Sequence, residues 1–516
     1  MGTNLFETFH KSAPSDITQP FLTLDDGSII SYADMFSRTR RLAAFFASLG
    51  VKPGDRVAVQ VEKSPDALLI YLSSLQCGAV YLPLNPAYTT GEIEYFLKDA
   101  EPTVFICRPE DEAHLKPLAA AANVDVVLSL SSDGSGGLMD ALMGTAESDQ
   151  AVAHQTNSFT LVDRSPDDAA AILYTSGTTG KPKGAVLTHD NLRSNCLSLC
   201  KLWRFTSGDR LLHALPIFHT HGLFVATNIT LAAGSSIIFL PRFDVNALIK
   251  HMSSASVLMG VPTFYTRLLA SDDFQRETAA NMRLFISGSA PLSAETHKLF
   301  HDRTGHAILE RYGMTETNMI ASNPYDDERR PGSVGHSLPG VNVRITNAQG
   351  APLPQGDIGA IEVQGPNVFK EYWRRPEKTA EEFRDGGWFV TGDLGRFDED
   401  GYLHIEGRAK DLIISGGFNI YPAEVEAAID ACSGVAESAV IGVPHPDLGE
   451  SIVAVVVRQR SSDQLSERDI LADISDRLAR FKRPRKIVFI DILPRNAMGK
   501  VQKVNLREDY KDAIVG

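Results

Sequence analysis

The chain has 516 residues, 43% of them hydrophobic and 22% charged, with a net charge of −14. That length exceeds one compact core and implies two or more domains, and the composition excludes disordered and fibrous classes. The acidic balance excludes a general nucleic-acid or anionic-membrane binder, since both need a basic face, but leaves room for a small anion met by a local cluster of cations.

At the N-terminus, Met1-Gly2-Thr3-Asn4-Leu5-Phe6 lacks the basic and long apolar segments of a secretory signal, and Phe6 stands where a myristoylation signal needs Ser or Thr. No apolar run is long enough to cross a bilayer, so a soluble, cytoplasmic protein without a membrane partner is expected. β-Branched runs at 56–61 and 103–106 alternate with a helical pattern at 66–76, the rhythm of α/β layers around a largely parallel sheet. The small-residue stretch 131–137 reads as a surface loop. The cysteines, Cys77, Cys107, Cys196, Cys200 and Cys432, are odd in number and scattered, which predicts reduced thiols. Cys196 and Cys200 lie four apart, but no further His or Cys completes a metal site, so they read as packing.

From 341 to about 404 short strands and Gly-containing turns predict a β-rich subdomain. A boundary is expected near Gly407-Arg408-Ala409-Lys410-Asp411, dividing the chain into 1–408 and 409–516. In the second part a helix is predicted over 423–431, opened by Pro422, with strands at 439–443 and 452–457 and an amphipathic helix over 466–480. The fold class is therefore α/β, with a large N-terminal domain of layered α/β subdomains plus the β-rich subdomain, followed by a small α+β domain. A cleft between them is a natural ligand site.

The sharpest motif is Tyr174-Thr175-Ser176-Gly177-Thr178-Thr179-Gly180-Lys181-Pro182-Lys183-Gly184, directly after the apolar run 169–173. Glycines let successive N–H groups converge, hydroxyls add donors and lysines add charge, which suits a phosphate. It is not a Walker A loop, because Thr175 replaces the first Gly and Pro182 the Ser/Thr after the Lys.

With Arg311-Tyr312-Gly313-Met314-Thr315-Glu316-Thr317, Trp388-Phe389-Val390-Thr391-Gly392-Asp393, the stretch 407–413 and Pro494-Arg495-Asn496-Ala497-Met498-Gly499-Lys500-Val501, that motif resembles the adenylate-forming superfamily of acyl-CoA synthetases, peptide adenylation domains and luciferases. The resemblance implies ATP and coenzyme A as co-substrates and an acyl-AMP intermediate. It implies ATP binding by Thr175, Ser176, Gly177, Thr178, Thr179, Gly180, Lys181, Lys183, Arg311, Tyr312, Gly313, Met314, Thr315, Asp393 and Arg408. Asp393 would accept from the ribose hydroxyls and Glu316 would hold Mg²⁺. Lys500 is the expected catalytic cation, since negative charge grows on the phosphoryl oxygens during attack. The small C-terminal domain would be mobile, turning about Lys410 and bringing Gly416 and Gly417 to the coenzyme A path. Acetylation of Lys500 by a lysine acetyltransferase would remove its charge.

For the acid, Pro216-Ile217-Phe218-His219-Thr220-His221-Gly222, the segment 261–267 and Ser287-Gly288-Ser289-Ala290-Pro291 resemble malonyl-CoA synthetases. A small dicarboxylate keeps one carboxylate after the other is adenylated, and that charge needs a permanent partner. Arg267 is the first candidate, with Ser289, His219, His221 and Arg283 as further contacts. Methylmalonate stays open beside malonate. So do an acid:CoA ligase for a short aliphatic or aromatic monocarboxylate, and an adenylation enzyme that loads a carrier protein in trans, no carrier-like domain following residue 516. Neither an oxidative, luciferase-like activity nor a catalytically silent binding protein is expected.

Overall fold

The computed structural model describes residues 4–148, 159–175, 182–415, 418–445, 448–459, 462, 464–496 and 499–514. The predicted α/β rhythm resolves into two mixed sheets rather than one. In the first, Pro20–Leu24, Ser236–Phe239, Arg210–His213, Val257–Gly260, Leu284–Ser287 and Leu309–Met314 run parallel, flanked by antiparallel strands at both edges. In the second, Val126–Ser129, Val104–Cys107, Arg56–Gln60, Val80–Pro83 and Ala169–Thr175 run parallel, and Lys183–Thr188 returns antiparallel. The first sheet pairs Pro20–Leu24 with a strand more than two hundred residues later, which local rhythm does not reveal. Strands such as Val257–Gly260 and Leu284–Ser287 are buried throughout, as covering on both faces requires.

The helix Pro65–Gln76 starts where expected, with Ser64 accepting from the N–H of Ala67 and Pro65 in the first turn, where its missing donor costs nothing. Almost all of it is buried. The five cysteines are free thiols, and those of Cys196 and Cys200 donate to the carbonyls of Arg193 and Ile229. Among the described residues no helix is long and apolar enough to cross a membrane.

The β-rich region is an antiparallel sheet of Asn342–Thr346, Gly359–Gln364, Trp388–Phe397, Phe383–Arg384 and Leu403–Arg408. Its fully buried Glu362 is paired by Arg344 at 2.7 Å and Arg384 at 2.5 Å, so no buried charge stands alone. After Asp411 the chain forms a separate sheet from Ile413–Ser415, Phe418–Ile420, Val435–His445, Gly449–Arg458 and Lys486–Ile490. The helix Pro422–Asp430 packs on it through Val425 and Ile429, with Ile413, Val440, Ile452 and Val456 in the same core. The helix predicted over 466–480 is shorter. It runs Glu467–Asp473, capped by Ser466, and tightens into a 3₁₀ turn, Ile474–Asp476. Arg483 takes the carbonyls of Ser475 at 2.5 Å and Leu478 at 2.8 Å, acceptors that a continuing helix would use itself.

Candidate active site

Three groups of side chains converge where the two mixed sheets, the β-rich sheet and the turn bearing Lys500 meet. The first lies at the phosphate motif. Thr175 closes the strand Ala169–Thr175, and its hydroxyl donates to Oε1 of Glu316 at 3.2 Å. The hydroxyl of Tyr372 lies 3.1 Å from the same oxygen and 2.6 Å from Oε2 of Glu382, donating to one at a time. Glu316 is buried, and among the described residues no Lys or Arg forms an ion pair with it. Burial raises its pKa against the hydrogen bonds from Tyr372 and Thr175. A buried carboxylate of this kind suits a hard cation whose other ligands are phosphate and water. Lys183 is not free for phosphate: its ammonium is 2.5 Å from Oε1 of Glu382 and lies over the Tyr372 ring at 3.9 Å. In this arrangement Lys183, expected at the ATP, braces Glu382 and Tyr372 below Glu316. Ser176, Gly177, Thr178, Thr179, Gly180 and Lys181 lie outside the described residues, as do Gly416 and Gly417.

The second group could hold a ribose. Asp393 and Arg408 face each other across adjacent strands, and Arg408 Nε is 2.9 Å from Asp393 Oδ1. The other oxygen of Asp393 accepts from the hydroxyl of Tyr312. Thr315 follows in the turn after the strand Leu309–Met314, whose last residues are Gly313 and Met314.

The third group surrounds Arg311. Side chains on a strand alternate, so Arg311 leaves the face opposite Tyr312. It is buried, and among the described residues its Nε and Nη2 have no hydrogen-bond partner. Gly288 makes room for it, since a Cβ there would stand 2.4 Å from the guanidinium carbon. Ser289, held in the left-handed region at φ 74°, places Oγ 3.2 Å from Nδ1 of His221. Nε2 of His221 also lacks a partner. Burial, with Lys500 and Arg311 nearby, pushes His219 down to about 3. Burial, Arg311 and His219 hold His221 well below the usual range, so both imidazoles are neutral near pH 7. Burial lowers Arg311 only to about 9, which leaves it a cation. A buried guanidinium without an ion pair among the described residues, flanked by a hydroxyl and neutral imidazoles, is chemically suited to receive a carboxylate.

The backbone around this receptor is unusual. His221–Thr227 forms a π-helical turn, and its Gly222 carbonyl is shared by Thr227 Oγ1 at 3.0 Å and His213 Nε2 at 2.8 Å. A Cβ on Gly222 would stand 2.0 Å from the carbonyl oxygen of Pro216, so only glycine lets the segment fold back on itself.

Lys500 ends a tight turn in which the Asn496 N–H donates to the Lys500 carbonyl and Oδ1 of Asn496 accepts from the Lys500 N–H. It keeps accessible surface because it borders the cleft, yet protein surrounds it closely enough that burial lowers its pKa. Arg408 lowers it next, and Asp393 and Glu316 oppose the fall. All three groups are therefore within electrostatic reach of this one ammonium. Lys410 is exposed in the 3₁₀ turn Ala409–Asp411.

Beside the cluster is a cavity of about 440 Å³ lined by Lys63, Phe218, Phe243, Phe264 and Arg267 and bounded by Asn496 and Gly499. Sequence reasoning missed Lys63, whose ammonium is 2.9 Å from both Nδ1 and the carbonyl oxygen of His213. No motif marks it. Arg267 lies on the cavity wall, exposed and 5.5 Å from the Phe243 ring, without a bond to Ser289, His219, His221 or Arg311. Arg283 is elsewhere: Asp209 takes its Nε at 2.7 Å and Nη2 at 2.8 Å, and the Trp203 carbonyl takes Nη1. Its expected contact with the acid is thereby corrected to a structural ion pair.

Residues 9–373 match the AMP-binding enzyme family, and residues 424–500 match the AMP-binding enzyme C-terminal domain. Malonate–CoA ligase of Arabidopsis thaliana is 32% identical, over 94% of this chain and 86% of its own. Feruloyl-CoA synthase of an Amycolatopsis species is 37% identical, over 94% of each. The crystal structure of ATP-bound MatB from Rhodopseudomonas palustris is 54% identical, with a TM-score of 0.95, covering 99% of this chain and all of that one. Against apo MatB the TM-score is 0.85. The chain belongs to the AMP-binding enzyme family.

Proposed function

We propose that this AMP-binding enzyme is an adenylate-forming acid:CoA ligase whose acid is malonate. One carboxylate of malonate attacks the α-phosphate of ATP, forming malonyl-AMP and releasing pyrophosphate. The thiol of coenzyme A then attacks the acyl carbonyl and AMP leaves. The observation that carries the choice of acid is Arg311, a buried guanidinium with two unpartnered nitrogens. A monocarboxylate would leave it unpaired, whereas the distal carboxylate of malonate compensates it, with Ser289 and the His219/His221 pair as neutral donors. Likeness to MatB and to the Arabidopsis ligase points the same way.

Each group then has a task. Lys500 would bridge the attacking carboxylate and the α-phosphate, offsetting the charge that grows there. Asp393 would orient the ribose and Arg408 the nucleotide, while Thr315 and the motif from Thr175 would receive the phosphates. Glu316 would hold Mg²⁺, which shields the phosphate charge when bound. The cavity lined by Phe218, Phe243 and Arg267 would admit the pantetheine arm, with Arg267 as a second cation on its wall. On this reading the arm would not reach the acyl carbonyl while Asn496 and Gly499, from the turn that bears Lys500, border the cavity. We therefore divide the chain into 1–408 and 409–516, with Lys410 as the hinge and Gly416 and Gly417 brought to the arm after rotation. The reaction belongs in the cytoplasm, where free thiols persist. Acylation of Lys500 by a lysine acetyltransferase would stop the first step.

The test is pyrophosphate release from malonate, methylmalonate, propionate and acetate, with and without coenzyme A. Malonate should exceed propionate by at least tenfold in kcat/KM. Equal rates would leave the enzyme a general short-acid ligase.

A further inference from the structure

We infer that Arg507, through its ion pair with Asp411, is a positioning residue that confines the pivot between the two domains to Ala409 and Lys410. The inference rests on the reading of Lys410 as the hinge. On one side of the pivot the strand Leu403–Arg408 ends in Arg408, in register with Asp393 and bound to it at 2.9 Å. That residue belongs to the large body. On the other side, Arg507 donates from Nη2 to Oδ1 of Asp411 at 2.7 Å. Arg507 sits on the helix Lys503–Asp509, whose Leu506 is buried against Ala439 and Val443 of the small domain's sheet.

Two residues therefore lie between the last fixed point of one domain and the first fixed point of the other. Lys410 is exposed and Ala409 offers no polar side chain, so among the described residues the span is held through its backbone, the Leu412 N–H donating to the Ala409 carbonyl at 3.4 Å. Without the pair, the first residue anchored in the small domain is Ile413, which is 1% exposed in its core. The free span then grows from Ala409–Lys410 to 409–412, a doubling. Asp411 and Arg507 both belong to the small domain, so rotation need not break the pair, and it limits the search for either docked arrangement. The effective concentration of a tethered partner falls roughly as the −3/2 power of tether length, so doubling it costs each docking about three-fold.

Arg507→Gln should lower steady-state malonyl-CoA formation about three-fold and broaden the distance distribution between dyes placed on the two domains. Its thermal midpoint should stay near that of the parent, because a half-exposed surface pair adds little stability. Asp411→Arg combined with Arg507→Asp should restore both turnover and the narrow distribution, which a loss of local packing would not allow. Unchanged turnover and distances in Arg507→Gln, or a double variant no better than the single ones, would overturn the latch. Lys410→Pro is measured alongside. If it blocks thioester formation while Arg507→Gln is silent, the hinge stands and the latch falls. If Lys410→Pro also transfers malonyl-AMP to coenzyme A at the parental rate, the hinge itself is misplaced and the latch goes with it.

Discussion

The receptor around Arg311 and the turn that carries Lys500 are both cationic and near each other, yet they are built in opposite ways. Arg311 is fixed by a strand, by the close approach of Gly288 and by surrounding neutral imidazoles, all parts of the large body. Among the described residues its charge has no ion-pair partner, and two of its nitrogens have no hydrogen bond. Lys500 is held by a turn that the Asn496 side chain closes on its N–H, borders the cleft, and has Asp393 and Glu316 opposing the fall in its pKa from across the site. On the proposed function, recognition of the acid would be built into rigid structure, while the group that serves the chemical step would be delivered by a part able to withdraw.

The strongest way to break that contrast is Lys500→Ala. Adenylate formation, followed by malonate-dependent exchange of pyrophosphate into ATP, should fall by about a thousand-fold or more, as when a transition-state cation is removed in phosphoryl transfer. Thioester formation from supplied malonyl-AMP should stay within a few-fold of the parent. Equal losses in both steps would mean that the lysine is not a one-step visitor.

Arg311→Ala comes next. Stranding one partner of a buried charge pair costs about 2–5 kcal/mol, so kcat/KM for malonate should drop by roughly thirty-fold to several thousand-fold. Propionate, which has no distal charge, should lose little, and Arg267→Ala should move the malonate-to-propionate ratio less than Arg311→Ala does. A larger shift from Arg267 would transfer the receptor to the cavity wall.

Smaller effects sharpen the picture through pH. His219, held at about 3, is neutral from pH 5 to 8 and should add no limb to the profile of kcat/KM for malonate. An acid limb that vanishes in His219→Asn would show a charged imidazole. Because its folded pKa lies below the unfolded value near 6.5, its contribution to stability is complete above that value and is lost as pH falls toward 3. Thermal midpoints measured downward from pH 7.5 should therefore fall less steeply in His219→Asn. The smallest change is expected at Glu310, which burial raises to about 8. Its contribution is present below the unfolded value near 4.5 and lost as pH rises through 8, so Glu310→Gln should be the more stable protein at pH 8.5 and indistinguishable at pH 4.5. A pH-independent difference in melting would rule this out.

Lys500, Glu316, Asp393 and the phosphate motif stood out in the sequence because each sits in a short string whose residue types suit one chemical task, and the structure brings Lys500, Glu316 and Asp393 within electrostatic reach of one another. The β-rich region and the helix Pro422–Asp430 were legible from turn residues and spacing. Arg311 was grouped with the ATP contacts because its string was read as serving one ligand, whereas the strand sets it on the face opposite Tyr312. Period-two alternation against Tyr312 was the available signal. Arg283 was misread for a different reason: its partner Asp209 is 74 residues away, and no local pattern carries that contact. The split into two parallel-cored sheets depends likewise on the distant pairing of Pro20–Leu24 with Ser236–Phe239.

The adjacency of Arg311 and Tyr312 also bears on how such an enzyme can change over time. Neighbouring Cα atoms are about 3.8 Å apart whatever the side chains, so on the proposed function the strand would act as a ruler between the acid and the nucleotide. A one-residue insertion or deletion there would exchange the two faces and destroy both sites at once. New acid preferences are therefore open to lineages, and to engineers, through point replacement at Arg311 and its surroundings with the length of this strand left untouched.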